Sequence, residues 1–415
     1  MAEKYKKVKK NVSPESGSAR VRALSATVYS GAIEAKERGE LVCWSASNFP
    51  PEILAIFDIP TVYPESHAAA VGARRGAQRL CEIAESDGYS NDICAYARLN
   101  LAFAKTGECE EQPMPLPDFV ACCNNICSCM VKWYENLAVE LGVPLVLLDI
   151  PFNTDYDVSP EQLDYMRSQF YACIEQLEEI TGKKWDEKKF QGIMDNVTKA
   201  SHAWVKAVQY ANNVPALFNG QDIVSNMGGM VTGRIKPDAA VAYNALCDDY
   251  QKLLEAKETT YKGEEQYRIL MDGITVWPYL RYVAESLAEE NINATSYVYG
   301  SYHNRCYTDL DSMLVTYASV ANCVCMEHAV DNRLAVSEKN NVDGYFIHTN
   351  RSCKLWSGMM PEISRQVAAK LNVPVAVYDG DQADPRAFSK AQFETRLQGL
   401  VEMMEVNKQE KEMGV

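Results

Sequence analysis

Cysteine is the residue type in this chain best suited to metal or redox chemistry, and there are fourteen in 415 residues. Four fall within nine positions, ACCNNICSC at 121–129. Structural zinc sites favour paired C-x2-C ligands. This chain has C-x3-C (Cys123, Cys127) and C-x-C (Cys127, Cys129; Cys323, Cys325), but no C-x2-C, HxxxH or HExxH. The C-x2-C-x2-C run of ferredoxin-type clusters is also missing. Any iron–sulfur cluster must therefore draw its ligands from distant parts of the chain. Helix geometry narrows the choice, because a thiolate near a helix N-terminus is stabilised by unpaired amides and the positive end of the dipole. Asparagine is a favoured N-cap. Three runs carry Asn three residues before Cys just after a loop or strand: Asn91…Cys94, Asn124…Cys127 and Asn350…Cys353. Asn244…Cys247 and Asn322…Cys325 share the spacing, but within stretches that read as helix interior. Two readings stand at this point: a three-cysteine site, or thiols that cap nothing and pack as small hydrophobes. Cys122, Cys123 and Cys129 read as packing.

Such a site needs elements to position it. ELVCWSA (40–46), TVYP (61–64), DFVACC (118–123) and VPLVLLDI (143–150) read as strands. Between them PPEILAIFD, HAAAVGARRGAQRLCEIAESDG and NICSCMVKWYENLAVELG read as single helices. Strand and helix in turn predict a parallel α/β lobe. The alternation returns with YRILMDGI, TSYVYG, GYFIHT (344–349) and PVAVYDGD (374–381), and DLDSMLVTYASVANCVCMEHAV reads as one helix. The expected architecture is α/β, two Rossmann-like lobes with parallel sheets plus a helical layer. Residues 1–38 form an N-terminal helical arm and 39–158 a first lobe with Cys94 and Cys127. Residues 159–262 form a helical segment, and 263–415 a second lobe with Cys353 and a C-terminal helix. Ser159 and Pro160 make a good helix start. Residues 1–18, basic and polar, read as a frayed terminus. GGMVTGRI (228–235) has a P-loop's glycine spacing but Arg234 and Ile235 where Lys and Ser/Thr belong. It reads as a turn, so no ATP site is expected on this chain.

A formal charge of −15 argues against nucleic acid and anionic membranes as partners. No stretch approaches the roughly 18 apolar residues of a spanning helix, and no secretory h-region opens the chain. A cytoplasmic protein is expected, where stable disulfides are rare.

Several longer stretches carry a family resemblance: CWSASNFPPE (43–52), YPESHAAAVGAR (63–74), SNDICAYARLN (90–100), PDFVACCNNIC (117–127), NRSCKLWSG (350–358) and DGDQADPRAF (379–388). In this order they resemble the α subunits of the 2-hydroxyacyl-CoA dehydratases, which belong with benzoyl-CoA reductase and 2-hydroxyglutaryl-CoA dehydratase. The likeness runs over nearly the whole chain from about residue 30. It is weakest over 300–330, where nothing functional is carried over.

The resemblance implies a heterodimer with a related β subunit, each subunit holding a [4Fe–4S] cluster. It implies Cys94, Cys127 and Cys353 as ligands, the same three that the helix argument selects, with a fourth iron position open to water or substrate. The implied reaction is a syn-elimination of water from (R)-2-hydroxyacyl-CoA, giving (E)-2-enoyl-CoA in amino-acid fermentation. The β-proton is not acidified by a neighbouring carbonyl, so one electron is placed on the thioester to give a ketyl. The electron comes from an ATP-hydrolysing iron–sulfur activator and is returned each turnover. The substrate leans towards aryl-lactoyl-CoA. Ser47 and Glu65 match positions that face the open iron, Ser47 as a hydrogen-bonding group and Glu65 as a proton acceptor or a partner of the hydroxide ligand. By spacing alone they would be a helix-capping serine and a solvated loop carboxylate. His67 is left out as a lone histidine, Arg351 and Lys354 read as a solvated basic pair, and 379–386 as a loop near the lobe interface. Two alternatives remain: an electron-relay β-type or benzoyl-CoA-reductase-like subunit, and a non-catalytic zinc-stabilised scaffold.

Overall fold

The computed structural model describes residues 5–301, 303–320 and 322–413. A two-residue strand β1 (Lys6–Lys7) and helix α1 (Gly17–Glu37) precede the first sheet. That sheet comprises β2 (Cys43–Ser45), β3 (Thr61–Val62), β4 (Phe119–Cys123) and β5 (Leu145–Leu148). Helix α2 (Pro51–Ile56) joins β2 to β3. Helices α3 (Pro64–Ala73), α4 (Ala77–Ser86) and α5 (Ala95–Thr106) lead on to β4, and α6 (Ser128–Leu141) connects β4 with β5. A helical stretch follows: α7 (Pro160–Thr181), α8 (Glu187–Gln209), α9 (Gln221–Asn226), α10 (Gly228–Thr232) and α11 (Asp238–Ala256), closed by strand β6 (Glu258–Thr259). The second sheet holds β7 (Tyr267–Asp272), β8 (Ile292–Tyr297), β9 (Gly344–Asn350) and β10 (Val375–Gly380). Its helices are α12 (Leu280–Glu289), α13 (Val298–Ser301), α14 (Leu310–Ala318), α15 (Met326–Ser337), α16 (Lys354–Gly358), α17 (Met360–Leu371) and α18 (Lys390–Met413).

Every strand pair in the two large sheets is parallel, with orders β3-β2-β4-β5 and β10-β9-β7-β8. Parallel pairing requires crossovers, and the helices supply them while covering both faces. Strands buried on both sides are therefore near-continuous apolar runs, as in FVACC of β4, where all positions are buried. Numbered within its own lobe, each sheet has the order 2-1-3-4. The switch point lies between β2 and β4 in one lobe and between β7 and β9 in the other. The α/β expectation holds, and the two lobes share one topology.

The helical layer ties the lobes together. Met166, Phe170 and Val197 pack in the core of the first lobe, whereas Trp204, Tyr243 and Leu246 pack with the second sheet, so α8 runs through both cores. Its neighbour α7 begins as expected: Ser159 Oγ accepts from the Gln162 amide, and the Gln162 side chain accepts from the Ser159 amide.

Several local expectations are corrected. The basic head is not frayed over its described residues. The Lys6 amide donates to Lys257 O (2.9 Å) and the Val8 amide to Thr259 O (2.8 Å), while Lys6, Lys7 and Lys10 pair with Glu258, Glu264 and Asp222. The acidic body of the chain holds its basic end. The helix drawn over 67–88 breaks into α3 and α4, because Arg75 adopts a left-handed φ of 65°. The one drawn over 309–330 breaks into α14 and α15, with Asn322 left-handed at φ 65°. The first five residues of GGMVTGRI form the short helix α10, and only residues 233–235 turn. A Cβ on Gly229 would stand 2.7 Å from the Tyr243 hydroxyl and 3.2 Å from Val21, so this glycine serves close packing of α10 against α1 and α11. Among the described residues no helix is long and apolar enough to cross a membrane.

Candidate active site

Residues just past the C-terminal ends of β2, β3, β4, β7, β8, β9 and β10 meet around one cavity of about 700 Å³. Open α/β sheets bind ligands at these strand ends. Here two such ends face one another, with α1, α9 and α10 closing a third side. Its lining is mostly apolar, with Tyr96, Trp133, Trp277, Tyr299 and Trp356 contributing ring surface.

Cys94, Cys127 and Cys353 all line this cavity. Cys127 follows the third strand of one lobe and Cys353 the third strand of the other, so the shared topology brings them in from matching positions. The expected asparagine caps are not the caps. The N-cap residues are the cysteines themselves, Cys94 on α5, Cys127 on α6 and Cys353 on α16. Asn124 instead clamps the end of β5, accepting from the Ile150 amide at 2.7 Å and donating to Asp149. Asn350 clamps the end of β7, accepting from the Ile274 amide at 3.0 Å and donating to Ile274 O at 3.1 Å. Asn322…Cys325, set aside as helix interior, is a loop whose Cys325 caps α15.

Burial raises each of the three thiols, Cys127 to about 11, Cys353 to about 12 and Cys94 strongly upward. Opposing this, the amide three residues on faces each sulfur: Ala97 for Cys94, Met130 for Cys127 and Trp356 for Cys353. Neighbouring cysteines contribute a further rise at each of them, so the sulfurs lie within electrostatic reach of one another. Cys129, expected to be packing, is half-buried and also lines the cavity. Cys122 and Cys123 are buried within β4, and all fourteen cysteines are free thiols.

Among the described residues no three His, Cys, Asp or Glu side chains close tightly enough to share one metal. Buried thiols that would repel one another as thiolates, each facing an amide, form a soft donor set of the kind that iron–sulfur groups take.

Ser47 and Glu65 lie on the same wall. Ser47 does not cap α2, whose N-cap is Pro50. Its amide donates to Glu65 Oε1 at 2.9 Å, and its buried Oγ stands close enough to the same carboxyl to help hold its pKa down. Glu65 is not a solvated loop carboxylate but sits in the first turn of α3, partly exposed towards the cavity. Burial pushes its carboxyl up to about 7, against the pull of the Ser47 amide and the Tyr134 hydroxyl, which donates to Oε2 at 3.2 Å. His67 is a core residue: Nε2 lies 2.8 Å from Gln112 O, and burial lowers its pKa to about 4.

Loop 379–386 crosses between the lobes. Gln382 Nε2 donates to Cys94 Sγ at 3.4 Å and to Ser352 Oγ at 3.1 Å, and Asp384 pairs with the buried Arg98 at 3.1 Å. Lys354 bridges the lobes at the surface, 2.7 Å from Asp92. Gln382 and Tyr134 escape sequence reasoning because each acts through a neighbour distant in the chain. Only the position of Gln382 within a quoted family motif signalled it.

Known proteins were compared with this chain. The profile of a family described as 2-hydroxyglutaryl-CoA dehydratase, D-component, matches residues 46–404. The (R)-phenyllactyl-CoA dehydratase alpha subunit of Clostridium sporogenes is 46% identical over 389 residues, covering 94% of this chain and 96% of that one. The (R)-2-hydroxyisocaproyl-CoA dehydratase alpha subunit of Clostridioides difficile is 43% identical over 391 residues, with the same coverage. The (R)-2-hydroxyglutaryl-CoA dehydratase subunit alpha of Acidaminococcus fermentans is 38% identical over 475 residues, covering 97% and 99%. With the match spanning both lobes and every residue of the cavity past position 45, this chain belongs to the 2-hydroxyglutaryl-CoA dehydratase D-component family.

Proposed function

We propose that this chain is the iron–sulfur, substrate-binding subunit of a hydro-lyase that converts (R)-2-hydroxyacyl-CoA to (E)-2-enoyl-CoA. The observation that carries the reading is the convergence of Cys94, Cys127 and Cys353 with Ser47 and Glu65 on one cavity. A [4Fe–4S] cluster held by the three thiolates would supply one-electron chemistry and an open Lewis-acidic iron. The chain's own groups do the rest. Ser47 Oγ, which lies beside the Glu65 carboxyl on the cavity wall, would turn to donate to the thioester carbonyl oxygen. Glu65, with a proton affinity near neutrality, takes the β-proton on Oε1 or Oε2 and hands it to the hydroxide departing from C2 on the same face, which leaves as water. The Ser47 amide and the Tyr134 hydroxyl fix the carboxyl's orientation. The apolar wall excludes water, which strengthens these contacts and protects a reactive substrate radical from side reactions.

The ring-rich lining suits an aryl-lactoyl group, in keeping with the phenyllactyl-CoA relative. A separate ATP-hydrolysing iron–sulfur activator as electron source belongs to the same reading. A related β subunit as partner, a cytoplasmic setting and a role in amino-acid fermentation complete the proposal. The test is anaerobic co-expression with candidate β subunit and activator, iron and acid-labile sulfide analysis, and assay against a panel of 2-hydroxyacyl-CoAs. Stoichiometric iron and sulfide with turnover of an aryl-lactoyl-CoA is the expected result. Zinc without sulfide, or no turnover of any thioester, overturns the proposal.

A further inference from the structure

Loop 379–386 brings a buried polar chain up to one of the three cysteines. The Asp381 carboxyl is only 1% exposed. Its Oδ1 accepts the Ala383 and Asp384 amides at 2.9 and 3.0 Å, and its Oδ2 accepts the Ser352 hydroxyl. That commits the one proton of Ser352, so towards its other neighbours its oxygen is an acceptor. It accepts the Ala95 amide at 3.0 Å and Gln382 Nε2 at 3.1 Å. The end of Gln382 that faces Ser352 is therefore its NH2, and the second N–H of that group donates to Cys94 Sγ at 3.4 Å. Gln382 is fully buried, and the Trp277 amide holds its backbone by donating to its carbonyl oxygen at 3.1 Å. Ala95 and Ser352 each neighbour a cysteine of the set, Cys94 in one lobe and Cys353 in the other.

We infer that the Gln382 side-chain amide raises the reduction potential of the cluster by donating to Cys94 Sγ, a positioning role that rests on the cluster reading above. An added electron increases the negative charge on the ligand sulfurs, and a donated N–H stabilises the more negative state more. The bond therefore favours the reduced form. A carboxamide does not titrate near neutrality, so Gln382 moves no proton and acts through Cys94 alone. Asp381 and Ser352 stand behind it as the groups that fix its orientation. They ensure that an N–H, and not the amide oxygen, meets the sulfur. Both belong to the lobe that carries Cys353, so the contact also reports how the second lobe sits on the first lobe's ligand.

The test is a mediated electrochemical titration of the anaerobic holoenzyme without substrate, followed by the EPR signal of the reduced cluster. Gln382→Met keeps the length of the side chain and removes both N–H donors. The reduction equilibrium at a fixed electrode potential is expected to fall about tenfold, a midpoint lower by about 59 mV, with iron and acid-labile sulfide unchanged. A cluster on the partner subunit keeps its own midpoint and serves as the reference. A fall of less than about twofold in that equilibrium, or a rise, overturns the inference. Should Gln382→Met lose the cluster, pulsed EPR is applied to wild-type enzyme whose glutamines in this subunit are isotopically labelled at the side-chain nitrogen. A hyperfine coupling from labelled nitrogen to the reduced cluster is expected, and its absence overturns the inference. Wild-type protein without iron and sulfide refutes the cluster reading itself. An intact cluster with an unmoved midpoint refutes only the role of Gln382.

Discussion

Glu65→Gln tests the electrostatics of the site directly. Burial lifts the Glu65 carboxyl from the ordinary 4.5 to about 7. At about 1.36 kcal/mol per unit this sets an upper limit of about 3 kcal/mol on its coupling to folding. Contact with the open cavity brings the expectation to roughly 1–3 kcal/mol. The folded protein holds this proton more tightly than the unfolded chain, so the contribution is complete below pH about 4.5 and is lost as pH rises through about 7. Glutamine carries no charge at any pH. The stability of Glu65→Gln relative to wild type should therefore climb between pH about 4.5 and 7 and level off above. The Ser47 amide and the Tyr134 hydroxyl bond different oxygens, so glutamine keeps its oxygen for the amide while the phenol reverses to accept from the NH2, which holds the pH-independent change to within about 1 kcal/mol. Denaturant titrations of both proteins, prepared anaerobically from pH 5 to 8.5, measure the difference. Parallel curves across that range would refute the buried, proton-binding carboxyl. In the assembled enzyme the same substitution should lower turnover by about a hundredfold or more with iron content unchanged.

Other substitutions probe the ligands and the frame. Cys127→Ala should lose iron and acid-labile sulfide from anaerobically purified protein, while Cys129→Ala keeps both; equal losses would sink the choice of Cys127. Arg333 is fully buried and ion-paired to Asp272 at 2.8 Å, so Arg333→Met strands a buried carboxylate and should cost about 3–5 kcal/mol in thermal or denaturant unfolding. A loss below about 1 kcal/mol would mean that the Tyr345 hydroxyl, 2.6 Å from the same oxygen, carries Asp272 alone. Ser159→Ala opens the capping box of α7 and should cost about 1 kcal/mol, read as a fall in melting temperature. No fall would show that packing of α7 on the first sheet, rather than its cap, sets the boundary.

Much of the frame was legible because it is local. Buried parallel strands must be short apolar runs, and FVACC, YRILMD and GYFIHTN announce themselves without tertiary information. The family motifs also pointed to Cys94, Cys127, Cys353, Ser47 and Glu65, which all reach one cavity. The helix breaks at Arg75 and Asn322 were not legible: arginine rarely adopts left-handed backbone, and asparagine, which does so more readily, also stands inside helices too often to mark a break by itself. Nor was the capping role. Asn124 and Asn350 have the right side chain for a cap, but neighbouring strand ends claim their hydrogen bonds, and the cysteines take the cap positions instead.

By itself, then, the sequence determined the alternation of elements, the cysteines worth following and the family. Tertiary structure decided that both sheets run 2-1-3-4, so that Cys127 and Cys353 arrive from matching strand ends. It also decided that Cys129 joins them on the wall, that Glu65 titrates near neutrality and that Gln382 donates to Cys94 from the other lobe. The physical reason is common to all four. Strand order, burial and hydrogen-bond partnership depend on groups far away in the chain, whereas propensity and periodicity report only on near neighbours.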